Sequence, residues 1–173
     1  MTIALLGYMG SGKSSIGKLL AEALTFPFVD LDHYIEKKEG MSVSAIFESR
    51  GELYFRKQEA RCLQEVIKDH PKAVLSLGGG TPCYGTIMDD LLKNEEVITL
   101  YLKASVETLT NRLWPQKEDR PLIAHLPSEE ALNEFIRKHL FERSFFYNQA
   151  NIKLVVDDLS RQEVVQKILL TLF

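Results

Sequence analysis

At 173 residues, with 45% apolar and 26% charged side chains, the chain holds material for one core and little beyond it. A formal net charge of −3 argues against a nucleic-acid binder, whose field is normally basic. No apolar stretch approaches the roughly 18 residues of a membrane span, and the run Ile3–Leu6 meets Gly7 and Lys13 too early for a signal peptide.

Ile3 to Leu6 stops at a glycine loop and predicts a buried parallel strand. Ile16, Leu19, Leu20 and Ala23 then recur at helical spacing within Ser14–Leu24. Phe26–Val29 predicts a second strand that ends at Asp30. Ser42 to His70 is helical in pattern, with an interruption near Gly51. Ala73–Leu77 predicts a third strand running into glycines, Val97–Leu102 a fourth, and Ser105–Trp114 a helix after it. From Trp114 to Pro127 the pattern breaks. Pro115, Pro121 and Pro127, with Lys117, Glu118, Asp119 and Arg120, predict a loop of about a dozen residues, long enough for a lid. Its prolines and charges are expected to keep it out of the core. Ser128 is placed to cap a long helix, with Glu129 and Glu130 in the first turn. Ile152–Val156 predicts a fifth strand, and Ser160 with Glu163 forms a capping box that opens the last helix. Strands alternating with helices imply a parallel sheet covered on both faces. Three of the five strands end in glycine or aspartate, at the edge where open α/β sheets place their ligands.

Gly7-Tyr8-Met9-Gly10-Ser11-Gly12-Lys13-Ser14 satisfies the phosphate-loop pattern G-x-x-x-x-G-K-[ST], and it sits between a strand and a helix as that pattern requires. Gly10, Ser11 and Gly12 let backbone N–H groups turn toward phosphate oxygens. The helix after them adds its positive end. Lys13 can reach the β- and γ-phosphates of ATP, the Ser14 hydroxyl can ligate Mg²⁺, and the Ser15 hydroxyl can touch the α-phosphate.

Asp30 and Asp32 are two apart after the second strand, so on an extended segment both point out of one sheet edge. They suit Mg²⁺ chemistry or an acceptor hydroxyl. Equally, Asp32 can be the cap of a helix around Tyr34–Lys38. Gly78-Gly79-Gly80 allows close approach to an anion, or is a flexible turn. Arg56 and Arg143 lie beside aromatics, and Arg120 lies in the proline-rich loop. Glu59 is placed to orient Arg56. Any one arginine is ordinarily a solvated side chain. Together they match a kinase for a small carboxylic acid, with clamps on the carboxylate and a cation over the transferring phosphate. His33, His70, His125 and His139 show no zinc spacing and receive no ligand role. Cys62 and Cys83 are expected to be reduced thiols of a cytosolic protein.

The motifs occur in a fixed order: Gly-Tyr-Met-Gly-Ser-Gly-Lys-Ser-Ser at 7–15, Asp-Leu-Asp at 30–32, Gly-Glu-x-x-Phe-Arg at 51–56, Gly-Gly-Gly at 78–80, Arg-Pro-Leu at 120–122 and Glu-Arg-x-x-x-Tyr at 142–147. In that order the chain resembles the shikimate kinase family nearly end to end. The resemblance implies an α/β fold of the P-loop, nucleoside-monophosphate-kinase-like type. This is a three-layer sandwich whose five-stranded parallel sheet runs 2-3-1-4-5, with helices on both faces and a mobile lid. One domain is expected over residues 1–173, with the lid at about 114–127 and an acceptor-binding segment at about 31–61. The implied reaction is Mg²⁺-dependent transfer of the ATP γ-phosphate to the 3-hydroxyl of shikimate, on the way to chorismate and the aromatic amino acids. By motif position, Asp32 would hold the ring hydroxyls, Arg56 and Arg143 the carboxylate, and Gly79 and Gly80 would line the same substrate. Arg120 would reach the ATP phosphates from the lid, and Asp30 would hold Mg²⁺ through water. Arg112 and Asp157–Arg161 fit the adenine by position alone. Lys13, Asp32 and Arg120 are therefore the expected catalytic residues. Ser15 stands where many family members carry threonine, and keeps the hydroxyl.

Two other readings compete. A gluconate-kinase-like enzyme of the same fold would also need a carboxylate clamp, although Asp-x-Asp, Phe-Arg and the triple glycine favour shikimate. A non-catalytic nucleotide-binding regulator is disfavoured by Lys13, Asp32 and Arg120, and by a chain expected to open at its first strand and close with its last helix. A cytoplasmic monomer is expected, with ATP and shikimate as its partners and neither nucleic acid nor membrane.

Overall fold

Strand β1, Thr2–Leu6, is the axis of the molecule, and all five of its residues are buried. Its side chains alternate, Ile3 and Leu5 joining one apolar cluster, Ala4 and Leu6 the other. Period-two geometry requires this of a strand covered on both faces. The computed structural model describes residues 1–173. Its remaining strands are β2 (Phe28–Asp30), β3 (Ala73–Ser76), β4 (Val97–Lys103) and β5 (Ile152–Val155). All pairings are parallel and the order is β2-β3-β1-β4-β5. This is the order that the family resemblance implies.

Seven α-helices cover the sheet: α1 (Lys13–Leu24), α2 (Leu31–Glu39), α3 (Val43–Asp69), α4 (Ile87–Lys93), α5 (Val106–Leu113), α6 (Glu129–Tyr147) and α7 (Arg161–Leu172). Residues of α1, α5, α6 and α7 pack with Ile3 and Leu5, whereas α2, α3 and α4 pack with Ala4 and Leu6. Ser42, Ser105, Ser128 and Ser160 each accept a bond from a backbone N–H in the first turn of the helix that follows. The Ser160–Glu163 capping box forms as expected. Gly51, at φ 83 and ψ 169, breaks α3 where the interruption falls in the sequence.

Two local expectations need correction, and one helix was not expected. Asp32 does not lie on an extended segment. Asp30 is the cap of α2, its Oδ1 accepting from His33 N at 3.2 Å, so Asp32 falls in the first helical turn. Helix α4 escapes the sequence pattern because it is only two turns long. The proline-rich loop is not kept wholly out of the core. Trp114–Asp119 forms a 3-10 turn, and Ile123 is completely buried in the first cluster. The charges stay at the surface while one apolar residue among them pins the segment.

Candidate active site

The phosphate loop runs from β1 into α1. Gly10 at φ 80 and Gly12 at φ 100 adopt left-handed backbone, which side chains larger than hydrogen rarely tolerate. The Lys13 ammonium lies across the loop, donating to Gly7 O at 2.6 Å and Tyr8 O at 3.0 Å. Burial pushes its pKa down to about 8, against the pull of Asp32 and Asp30. Ser15 Oγ donates weakly back to Gly12 O at 3.4 Å, and Ser11 Oγ is buried without a partner.

The capping role of Asp30 uses only one of its oxygens. Oδ2 accepts from Ser14 Oγ at 3.1 Å, so the two expected metal-binding groups are adjacent. Asp32 is different. Burial first, then the Asp30 and Glu59 carboxylates, raise its pKa to about 6, with Lys13 opposing. A carboxyl poised there titrates close to neutrality and can accept a proton that an ordinary aspartate would hold poorly.

The triple glycine after β3 explains how the remaining groups approach. A Cβ on Gly78 would lie 3.0 Å from an Asp32 carboxylate oxygen, one on Gly79 3.0 Å from an Arg143 guanidinium nitrogen, and one on Gly80 2.8 Å from an Arg56 nitrogen. Three consecutive residues thus each abut a different charged side chain, and a methyl group on any of them would require a neighbouring side chain to shift. What the packing shows at this motif is close approach of the protein's own side chains to the glycine backbone. Arg56 is anchored by Glu59 at 2.8 Å, and Glu59, 1% exposed, also accepts from Thr81 Oγ1 at 2.6 Å. Arg143 makes none of the chain's ion pairs. Its guanidinium stands 5.6 Å from the Tyr8 ring centre, and Tyr8 Oη is 3.0 Å from His139 Nδ1.

A cleft of about 660 Å³ opens over these elements. Its walls bring together Gly10, Gly12, Lys13, Ser14, Ser15, Asp30, Asp32, Gly79, Arg112 and Arg120 from five separate stretches of chain. Arg112 donates to Gly10 O at 3.1 Å, and Arg120 to Gln116 Oε1 at 3.1 Å. Arg56, Arg143 and Gly80 do not line this cleft; Arg143 stands against Gly79, and Arg56 against Gly80, in the glycine bridge Gly78–Gly80. Ser11 belongs to the phosphate loop but is buried and does not line the cleft. At the opposite end Val156, Leu159 and Val164 supply an apolar wall beside Ser160 and Arg161. Of these, Gln116, Val156 and Val164 carry no local sequence signal and are found only through the fold.

The family model for shikimate kinase matches residues 9–173. The chain belongs to the shikimate kinase family. A shikimate kinase of Flavobacterium johnsoniae is 49% identical over 167 residues, spanning 96% of each chain. The crystal structure of a shikimate kinase from Bacteroides thetaiotaomicron superposes with a TM-score of 0.91 at 35% identity, covering 99% of this chain and 98% of the other. A shikimate kinase from Acinetobacter baumannii, solved in complex with shikimate, gives 0.85 at 32% identity, covering 99% and 92%. The span matched by the shikimate kinase model begins at Met9 and takes in every residue lining the cleft.

Proposed function

We propose that the chain transfers the γ-phosphate of ATP to the 3-hydroxyl of shikimate, yielding ADP and shikimate 3-phosphate. The observation that carries this reading is one cleft that joins a phosphate loop to Asp32, with two arginines held against the glycine bridge behind it. ATP lies with its phosphates over Gly10–Ser15 and its base toward Arg112 and Val156–Val164. Shikimate lies over Gly79 and Gly80 with its carboxylate toward Arg56 and Arg143. The acceptor oxygen forms a bond to the γ-phosphorus as the bond to the β–γ bridging oxygen breaks. Asp32 accepts the hydrogen bond of the attacking hydroxyl, sets its line of approach and takes its proton. Lys13 and Arg120 face the charge on the transferred group.

Ser14 Oγ and Asp30 Oδ2, 3.1 Å apart, are hard oxygen donors that fit Mg²⁺, an ion that commonly takes one carboxylate and fills its shell with water and phosphate oxygens. Such an ion would neutralise phosphate charge. We read residues 1–173 as one domain, with a lid over about 114–127 and the acceptor segment at about 31–61. We read the chain as a cytoplasmic monomer acting on small molecules, a reading supported by its acidic net charge and by the free thiols of Cys62 and Cys83. The test is a coupled assay of ADP release, with shikimate and gluconate as rival acceptors. Release with shikimate alone is expected; faster turnover of gluconate would overturn the assignment.

Arg143→Ala is expected to weaken shikimate binding by about tenfold to a hundredfold, the loss of one charge-assisted clamp. Calorimetry should find ATP affinity nearly unchanged, and an equal loss for ATP would misplace the residue. Arg56→Ala should weaken shikimate similarly and also lower Tm, because it strands the buried Glu59 carboxylate with only Thr81 as partner.

The lid makes a separate prediction. Backbone exchange at Gln116–Leu122 should slow when nucleotide and shikimate are both bound, as Arg120 engages phosphate. Exchange at Ile123 should change little, since its side chain is already in the core. Unchanged exchange across the whole segment would remove the lid.

A further inference from the structure

Arg56 uses its guanidinium unevenly. Nη1 donates to Glu59, while Nε is buried and makes no hydrogen bond. Nε and Nη2 form the edge of a guanidinium that grips a carboxylate with two parallel bonds. That edge borders Gly80, where an added Cβ would come within 2.8 Å of Nη2. One protein carboxylate threatens it. Glu52 is four residues before Arg56 on the same helix, and its Oε1 stands 3.8 Å from Nε, within ionic reach but outside hydrogen-bond length.

Tyr84 holds Glu52 there. Its hydroxyl donates to Glu52 Oε1 at 2.6 Å. Its ring centre lies 3.8 Å from Arg56 Cζ, closer than Phe55 at 5.3 Å or Phe47 at 6.0 Å. Tyr84 follows the 3-10 turn Thr81–Cys83, whose Thr81 already fixes Glu59. One short turn therefore controls both carboxylates next to the arginine.

Resting on the reading of Arg56 as an acceptor clamp, we propose that Tyr84 is a positioning residue for acid recognition. Its ring fixes the guanidinium plane and its hydroxyl keeps Glu52 from occupying the fork meant for the substrate carboxylate. A surface ion pair contributes little where water competes, but a pair closing on the free edge of a half-buried arginine competes directly with the substrate.

The test is steady-state kinetics on Tyr84→Phe, Tyr84→Ala, Glu52→Gln, Arg56→Lys and the Tyr84→Phe/Glu52→Gln pair. Tyr84→Phe keeps the stacked ring and should fold like the parent. It should raise the shikimate KM about threefold, with kcat and the ATP KM unchanged, and Glu52→Gln in the same chain should bring the KM back. Tyr84→Ala should raise it about tenfold, since the cation–π contact goes too. Glu52→Gln alone should leave the shikimate KM unchanged or lower. A shikimate KM in Tyr84→Phe that equals the parent's, or a rise that Glu52→Gln does not reverse, would overturn the proposal. Arg56→Lys keeps a charge for Glu59 but loses the two-bond fork, and should raise the shikimate KM. If it does not, the clamp reading itself fails and the role of Tyr84 falls with it.

Discussion

Lys13→Ala should lower kcat about a thousandfold while the protein stays folded. The ammonium is the one cation of the phosphate loop, and removing a single donor aimed at developing charge typically costs a hundredfold to a thousandfold. Its present bonds to the Gly7 and Tyr8 carbonyls show that it lies across the loop mouth, so it needs only to exchange those acceptors for phosphate oxygens. The fold should survive because Lys13 itself lines the open cleft, so water can enter where its ammonium was. Circular dichroism and Tm check the fold; ADP release measures the loss. Near-parent turnover in a folded variant would mean that the loop binds a nucleotide without transferring its phosphate.

Asp32 carries the second large effect, with two readouts of opposite sign. Asp32→Ala should reduce kcat by about a thousandfold, in the range for a positioned acid–base group. Asp32→Asn should lose less, because it keeps one acceptor oxygen for orienting the hydroxyl and phosphoryl transfer places little charge on the nucleophile. In the unaltered protein kcat/KM should fall on the acid side with a midpoint near 6, where Asp32 protonates. The stability argument runs the other way. The folded pKa of about 6 exceeds the ordinary 3.8, so the fold holds this proton more tightly than the unfolded chain does. Stability therefore declines as pH rises from about 4 to 6 and stays lower above it, with the attraction of Lys13 already included. Asp32→Asn removes that cost, so at pH 7 its Tm should rise as its turnover falls. A Tm that drops would show that the ionised carboxylate holds the site together rather than straining it.

The residues of this site differ in how visible they are to sequence reading, for a physical reason. The phosphate loop is contiguous, and its chemistry follows from nine adjacent residues between a strand and a helix. The sheet order came with the family resemblance, and β1 is legible as a buried strand because burial on both faces leaves an unbroken apolar run. Asp30 and Asp32 were legible as a pair but not by role. Which of them caps the helix depends on where β2 ends, a boundary that tertiary packing sets. Ile123 was hidden because prolines and charges surround it, and local composition is blind to a single residue folded inward. Tyr84 and Glu52 are 32 residues apart, and nothing in either neighbourhood announces the other. Glu59 was readable beside Arg56 on one helix, but its second partner, Thr81, arrives from a different layer.

The glycine bridge also bears on how an inhibitor of this protein would fare over time. A compound that gains its affinity from the backbone of Gly78–Gly80 rests on positions where any added side chain meets Asp32, Thr81, Arg143 or Arg56 within about 3 Å. A variant at those positions must displace side chains that include the three groups proposed to act on the acceptor, Asp32, Arg56 and Arg143. Escape routes would have to open elsewhere, at exposed positions around the cleft rather than against the glycine bridge. Two compounds of equal potency could therefore differ widely in how quickly they are lost to mutation, according to which wall of the same cleft each one grips.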